Sequence, residues 1–229
     1  MITTVFEDGV TANEEQLLWL ERRGWVYQLL VDFLGREPRL SLIAQYRREA
    51  ALKGPVISSE GGRMLKDYLE SIEEDKLRQV CYDEAEEYTR LFVGSPAVLP
   101  FTEGGFRARK EGIQVMWESS QLGTVYCECG VVFNKLHNER DDHMAIELEF
   151  MSVLADRMLV AGCVRNKCTE LADMQLWFME SHLMKWAPAF AEALQREART
   201  PLYKGLGVLL SEFLSKDLEM LRVWRSELS

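Results

Sequence analysis

The chain has 229 residues, of which 47% are hydrophobic and 28% charged, the balance of an ordinary soluble globular protein. Its 27 lysines and arginines are outnumbered by 37 aspartates and glutamates, and the net charge of −10 disfavours binding to nucleic acid or to an anionic membrane surface. A basic partner is favoured instead, and the five scattered cysteines predict reduced thiols rather than a disulfide framework.

The sequence lacks the features that mark a membrane span or a secretory signal. No apolar run approaches the roughly 20 residues that are needed to cross a bilayer. The first residues, "MITTVFEDGVTANEE", contain no basic segment followed by an apolar stretch. We therefore expect a cytoplasmic protein.

The first half of the chain carries helical patterns with recognisable ends. Asn13 and Gln16 resemble a capping box, and the helix that they start is stopped by Gly35 and Pro38. The runs "GTVYC" and "GVVFN" favour strands but are too short to build a sheet. The helices predicted here cover residues 13–35, 41–53, 59–72 and 74–93, and a short one ends at residue 130.

Residues 94–113, "GSPAVLPFTEGGFRARKEGI", are predicted to form one long loop. They contain prolines, glycines and a local cluster of basic residues. Loops of this length inside a compact domain are usually functional or mobile. We therefore expect a functional or mobile segment within the first half of the chain.

The second half begins after the polar stretch "NKLHNER" and is again helical. Pro188 and Pro201 suit the first turns of two of its helices, which are predicted at residues 142–161, 168–186, 188–199 and 202–226. We predict an all-α fold of roughly 8–10 helices in one bundle-like domain. Its N-terminal half (1–130) and C-terminal half (142–229) are joined by a hinge at 131–141.

Residues 141–154, "DDHMAIELEFMSVL", place two acids and a histidine in front of an apolar helical run. Four interpretations are open: a helix start with a spectator histidine, a metal site, an acid/base pair, or a docking point for a basic partner. His143 and Glu147 lie four residues apart, so both fall on one helical face and could act as a pair of ligands.

Other signals of metal binding or catalysis are weak. Cys127 and Cys129 form a lone C-x-C that matches zinc-site spacing poorly. The sequence has no nucleophile elbow and no phosphate-binding glycine loop, and three histidines are few for an acid/base enzyme. We predict a protein that is not an enzyme and holds no metal or cofactor. A helical metalloprotein using Cys127, Cys129, His143 and Glu147 is the alternative of another class.

Four stretches, spread from residue 84 to 203, resemble segments of one family. "EEYTRLFVGSPAVLP" (86–100) is similar to E-x-x-R-L-F-x-G-P-x-x-L-P, and "WES" (117–119) to Y-E-S. "DDHMAIELEFMSVLADR" (141–157) resembles P-x-D-H-x-x-x-E-L-x-F-M-x-x-L, without its proline. "FMESHLMKWAPAFAEAL" (178–194) resembles F-x-x-x-H-L-x-x-W-x-P-x-F. These segments are typical of the TorD/DmsD-like cytoplasmic chaperones of molybdoenzymes.

The resemblance implies an all-helical chaperone that binds the twin-arginine leader or the apo-form of a molybdopterin oxidoreductase. Such a chaperone aids cofactor insertion and holds back export, as a monomer or a domain-swapped dimer. The alternative within this class is a chaperone of a non-exported nitrate-reductase-type subunit, whose terminal segment lacks the arginine pair. Leader-binding residues carried over from the family are Tyr88, Leu91, Phe92, Glu118, Asp141, Asp142 and His143.

A physical hypothesis assigns different tasks to these residues. We expect Tyr88, Leu91 and Phe92 to line an apolar groove that is open to solvent and supplies most of the affinity, because burying one leucine contributes roughly 1.5–3 kcal/mol. An exposed ion pair contributes only about 0–1 kcal/mol, so Asp141 and Asp142 would mainly select for arginine. One of these two acids would cap the following helix, and His143 would bond across the junction of the halves.

Overall fold

A computed structural model describes residues 4–5, 11–52, 59–112, 118–134, 139–161 and 165–228. Over these residues the predicted all-α fold is confirmed, preceded by a two-residue antiparallel pairing of β1 (Thr4–Val5) with β2 (Thr11–Ala12). None of the described helices combines the length and the apolar character that a bilayer span requires. Within these ranges the helices are, in chain order, α1 (Glu14–Leu34), α2 (Leu40–Leu52), α3 (Glu60–Ser71), α4 (Leu77–Tyr88), α5 (Glu103–Glu111), α6 (Glu118–Glu128), α7 (Met144–Ala161), α8 (Arg165–Phe178), α9 (Met184–Glu197) and α10 (Pro201–Glu227).

Several helix starts follow from local capping chemistry. The Asn13 side chain accepts the Gln16 N–H at 2.9 Å and the Gln16 side chain accepts the Asn13 N–H at 2.9 Å, which completes the predicted capping box of α1. Ser59 accepts the Gly62 N–H at 3.1 Å at the start of α3. Pro201 occupies the first turn of α10, where a missing N–H costs nothing.

Two π-helical turns, Thr89–Val93 after α4 and Met179–Leu183 between α8 and α9, were not anticipated. The second turn joins α8 directly to α9, so the predicted break before Pro188 is wrong. Pro188 lies inside α9. The missing proline donor is tolerated there because the preceding π-helical turn already interrupts the regular i→i−4 bonding.

The predicted long loop at 94–113 is also wrong in part, because α5 forms within it. Thr102 accepts the Gly105 N–H at 3.1 Å and so caps this helix. Gly112 ends it with a φ of 69°, a conformation that glycine adopts without strain. The basic cluster that suggested a loop lies in the last turn of α5, where cations complement the helix dipole.

One hydrophobic core includes side chains from both predicted halves. The helix α1 packs along α7, and α10 packs against α3 and α9. A buried fork pins α1 to α10: Asp217 accepts hydrogen bonds from Arg23 at 2.7 and 2.8 Å, from the Tyr27 hydroxyl at 2.7 Å and from Trp19 Nε1 at 2.7 Å. The hinge at 131–141 stays a prediction, and its residues 135–138 lie outside the described ranges.

Candidate functional site

Three of the residues carried over from the family belong to an aromatic cluster in the core. Leu91 is 0% and Tyr88 7% exposed, while Phe92 is half-buried. The Phe92 ring stacks on Phe101 with centroids 4.2 Å apart and lies 6.3 Å from the ring of Phe190. The expectation of side chains that line an open groove is therefore wrong for Tyr88 and Leu91. The π-helical turn packs the Phe92 ring against Phe101 and Phe190 and leaves Leu91 fully buried.

An open apolar groove does lie directly over this cluster, with a volume of about 540 Å³. Its buried lining consists of Leu99, Phe106 and Ala193. The Leu99 N–H donates to the Leu91 carbonyl at 2.9 Å and so ties the wall of the groove to the π-helical turn beneath. We call this cavity the α5–α9 groove. Its lining comprises residues 96–100, Phe106, Arg109 and Lys110 of α5, and Ala189, Glu192, Ala193, Arg196 and Glu197 of α9.

The rim of the α5–α9 groove carries opposite charges on its two sides. Arg109 and Lys110 stand on the α5 side, and the Arg109 guanidinium donates to the Val98 carbonyl at 2.8 Å. On the α9 side Glu192 is exposed, and Arg196 pairs with Glu197 at 2.9 Å. A segment bound in the groove therefore meets two cations on the α5 side. On the α9 side it meets one exposed acid and one arginine–glutamate pair.

Arg90, in the π-helical turn Thr89–Val93, fixes the end of the groove at Glu197. Its guanidinium bonds both Glu87 oxygens at 2.7 and 2.8 Å and the Glu197 carbonyl at 2.7 Å. Burial opposes ionisation of Glu87, but the bonds from Arg90 and from the Arg199 N–H outweigh it and lower the pKa of this carboxyl. The turn below the groove is thereby attached to the end of α9.

Asp142 caps α5, not the helix α7 that follows it in sequence. Its Oδ2 accepts the Gly104 N–H at 3.0 Å, and its backbone carbonyl accepts the Glu103 N–H at 2.8 Å. Arg140 closes the solvent side, donating from Nε to Oδ1 at 2.8 Å and from Nη2 to Oδ2 at 3.1 Å. Asp142 is 0% exposed and its oxygens already bond Arg140, so it does not stand free for a foreign arginine as expected.

His143 marks the start of α7. Its Nδ1 accepts the Ala145 N–H at 3.3 Å, and its ring meets the Phe101 ring edge-on with centroids 4.7 Å apart. Nδ1 thus bonds within one helix start, and the expected bond donated across the two halves stays a prediction. Burial lowers the pKa of His143 below its ordinary 6.5, although the carboxylates of Glu139 and Asp142 oppose this shift.

The remaining carried-over residues lie on the α6 side of the cluster. The Asp141 carbonyl accepts the Tyr126 hydroxyl at 2.9 Å, and an added Cβ at Gly123 would meet Asp141 Oδ2 at 2.9 Å, so this carboxylate lies against α6. Burial raises the pKa of Tyr126 well above 10, and the carboxylates of Glu147 and Asp141 add to the effect. Glu118 begins α6, and its side chain lies outside the described part of the structure.

The metal hypothesis gains no geometric support. Within the described ranges, no three His, Cys, Asp or Glu side chains are grouped as a metal site would require. Glu147 accepts the Trp186 indole N–H at 3.3 Å, while the His143 ring nitrogen is engaged with the start of α7. Cys127 is exposed and Cys129 is partly buried at the end of α6.

Sequence reasoning missed the residues that line the α5–α9 groove. Ala189 and Ala193 are small residues four apart on one face of α9, which is a signal for a close approach or a cavity. Phe106 was hidden in a segment that looked like a loop. Two other described cavities are a groove of about 350 Å³ between α1 and α10, lined by Trp19 and Phe213, and one of about 460 Å³ between α7 and α8.

Comparison with known proteins identifies the family. Residues 58–192 match the family model described as nitrate reductase delta subunit. The protein is 24% identical over 215 residues to "Chaperone protein TorD" of Photobacterium profundum, covering 91% of this chain and 98% of the relative. It is 25% identical over 209 residues to the protein of that name from Vibrio cholerae serotype O1, covering 86% and 90%. These relatives are chaperones, not enzymes, and the chain belongs to the TorD-like chaperone family.

Proposed function

We propose that this molybdoenzyme maturation chaperone acts in the cytoplasm by binding the twin-arginine leader or the apo-form of a molybdopterin-dependent oxidoreductase. Holding the client in this way would aid cofactor insertion and delay export until maturation is complete. The observation that carries the proposal is the α5–α9 groove, an apolar, solvent-open cavity of about 540 Å³ over the family's aromatic motif.

The apolar lining of this groove accounts for most of the affinity in the proposal. A leader offers an apolar helix-forming segment, and each buried leucine contributes roughly 1.5–3 kcal/mol. Exposed ion pairs at the rim contribute only about 0–1 kcal/mol each. The net charge of −10 mainly speeds the encounter with a basic leader.

The charges around α5 give the bound leader a direction. Arg109 and Lys110 lie at the C-terminal end of this helix and repel an arginine pair, whereas Asp142 lies at its N-terminal end. At about 1.5 Å per residue, Gly104 and Arg109 are separated by about 8 Å along the helix. We therefore orient the leader in this proposal with its apolar segment along the groove and its arginine pair away from Arg109 and Lys110, toward the start of α5.

Filling the groove tests this proposal. We expect Ala189→Trp to weaken binding of a fluorescent twin-arginine leader peptide by about tenfold or more, because the new indole occupies the space that apolar leader side chains need. The matched control is Ser215→Trp, which adds a tryptophan on an exposed part of α10 outside the groove. Fluorescence anisotropy gives the affinities, and thermal unfolding checks that both variants fold. Unchanged affinity in a folded Ala189→Trp variant would refute the proposed site.

A further inference from the structure

Arg140 covers a carboxylate that is otherwise built to receive a guanidinium. Both oxygens of Asp142 are held in a fork by Arg140, at 2.8 and 3.1 Å, while the Gly104 N–H holds Oδ2 from the protein side at 3.0 Å. The Arg140 side chain is 51% exposed and the Asp142 side chain 0%. The carboxylate is thus a preformed guanidinium subsite that a half-exposed arginine of the same chain occupies.

A second arginine could replace Arg140 without loss of bonding. The incoming guanidinium would make the same two charge-assisted hydrogen bonds, so the exchange is one for one. Arg140 is tethered two residues from Asp142 and competes at an effective concentration on the order of millimolar or more. A client arginine at micromolar concentration loses this competition unless the rest of the client is already bound nearby, which raises its own effective concentration.

We propose that Arg140 is a specificity-determining residue that occupies the guanidinium subsite at Asp142 and lowers the chain's preference for clients with an arginine pair. The inference rests on the proposed function, because it concerns what the leader site selects. In the motif that this chain resembles, the corresponding position is proline, which has no side-chain donor. A chain with Arg140 accepts apolar terminal segments with or without the pair.

The test compares two leader peptides that differ only in the pair, Arg-Arg or Gln-Gln, on several variants. We expect wild type to bind the Arg-Arg peptide less than about threefold more tightly than the Gln-Gln peptide. In Arg140→Ala this ratio of affinities should rise to about tenfold or more, because the peptide's arginine then makes the charge-assisted hydrogen bonds to Asp142. Arg140→Gln, which keeps a neutral donor, should fall between them. The matched control is Arg222→Ala, which removes another exposed arginine, paired with Glu180 at 2.7 Å, and should behave as wild type.

A second readout guards against a general effect on folding. The Arg-Arg peptide should raise the Tm of Arg140→Ala more than that of wild type, because it restores the missing fork, and the Gln-Gln peptide should not. An unchanged peptide ratio in Arg140→Ala, or a tenfold preference already present in wild type, overturns the role of Arg140 alone. If wild type binds neither peptide, the proposed function fails and this inference fails with it.

Discussion

Two arginine–aspartate forks in this molecule use the same chemistry in opposite surroundings. Arg23 and Asp217 join α1 to α10 with both side chains 0% exposed. Arg140 and Asp142 meet at the start of α5 with the arginine 51% exposed. Separating the first pair leaves two charges buried, whereas opening the second turns the arginine into water and leaves one buried carboxylate that keeps the Gly104 N–H.

The difference teaches which pair is structural and which is exchangeable. Asp217 also accepts bonds from Tyr27 and Trp19, each at 2.7 Å, so α1 supplies its fork and both of these further donors. Asp142 is held from the protein side by the Gly104 N–H, and its fork comes from a residue on the same short segment. A foreign arginine can replace Arg140 but has no path to replace Arg23.

The largest expected effect is therefore the loss of the buried Arg23–Asp217 pair. Asp217→Ala should lower the free energy of unfolding by about 3–5 kcal/mol, because it leaves the Arg23 guanidinium buried without its partner. Urea denaturation measures this loss. The double replacement Arg23→Met/Asp217→Leu should recover part of the loss, because no charge stays buried although the Tyr27 hydroxyl and the Trp19 indole still lack their acceptor. A loss below about 1 kcal/mol in Asp217→Ala would contradict the structural role of this pair.

The same contrast between a buried and an exposed side chain holds for two apolar residues of the π-helical turn. Leu91→Ala should cost about 2–5 kcal/mol of unfolding free energy, since it empties space in the aromatic cluster. Val93, two residues on, is 63% exposed, and Val93→Ala should change stability by less than about 0.5 kcal/mol. Equal effects of the two substitutions would mean that Leu91 is a surface contact after all.

Removing Asp142 should lower the free energy of unfolding less than removing Asp217. Asp142→Ala removes the acceptor of the Gly104 N–H and should lower the unfolding free energy by about 1–3 kcal/mol, because Arg140 can turn into solvent. Parallel urea titrations of Asp142→Ala and Asp217→Ala provide the comparison. A loss as large as that of Asp217→Ala would contradict the exchangeable character of the Asp142 site.

The smallest expected effect is a pH dependence at the start of α7. Burial lowers the pKa of His143 in the folded protein below the ordinary 6.5 of the unfolded chain. Its contribution to stability is thus complete above pH 6.5 and is lost as the pH falls through the folded-state pKa. Wild type should lose more stability than His143→Gln between about pH 7.5 and 5.5 in denaturation experiments. Parallel losses in both proteins would assign the pH dependence to other groups.

Local rules predicted much of the fold from the sequence. The capping box of Asn13 and Gln16 and the position of Pro201 depend on neighbours within four residues, and both are confirmed. The π-helical turns and the continuity through Pro188 depend on packing of distant helices, which a single sequence does not encode in any short pattern.

The candidate site was harder to predict, for the same physical reason. The motif around Leu91 and Phe92 indicated the right region but not which side chains face solvent. Burial there depends on Phe101, beyond the cluster's own π-helical turn, and on Phe190, which lies far along the chain. One of Asp141 and Asp142 was expected to cap α7, whereas the antiparallel bridge between Thr102 and His143 brings Asp142 to α5. Contacts between remote segments thus set the geometry of the site.

Hydrogen–deuterium exchange with and without a bound twin-arginine leader peptide is the most direct measurement of where the client sits. Binding in the α5–α9 groove should slow exchange in residues 96–111 and 189–197 and leave α1 unchanged. Protection confined to the α1–α10 groove around Trp19 and Phe213, with none along α5, would contradict binding of the leader in the α5–α9 groove.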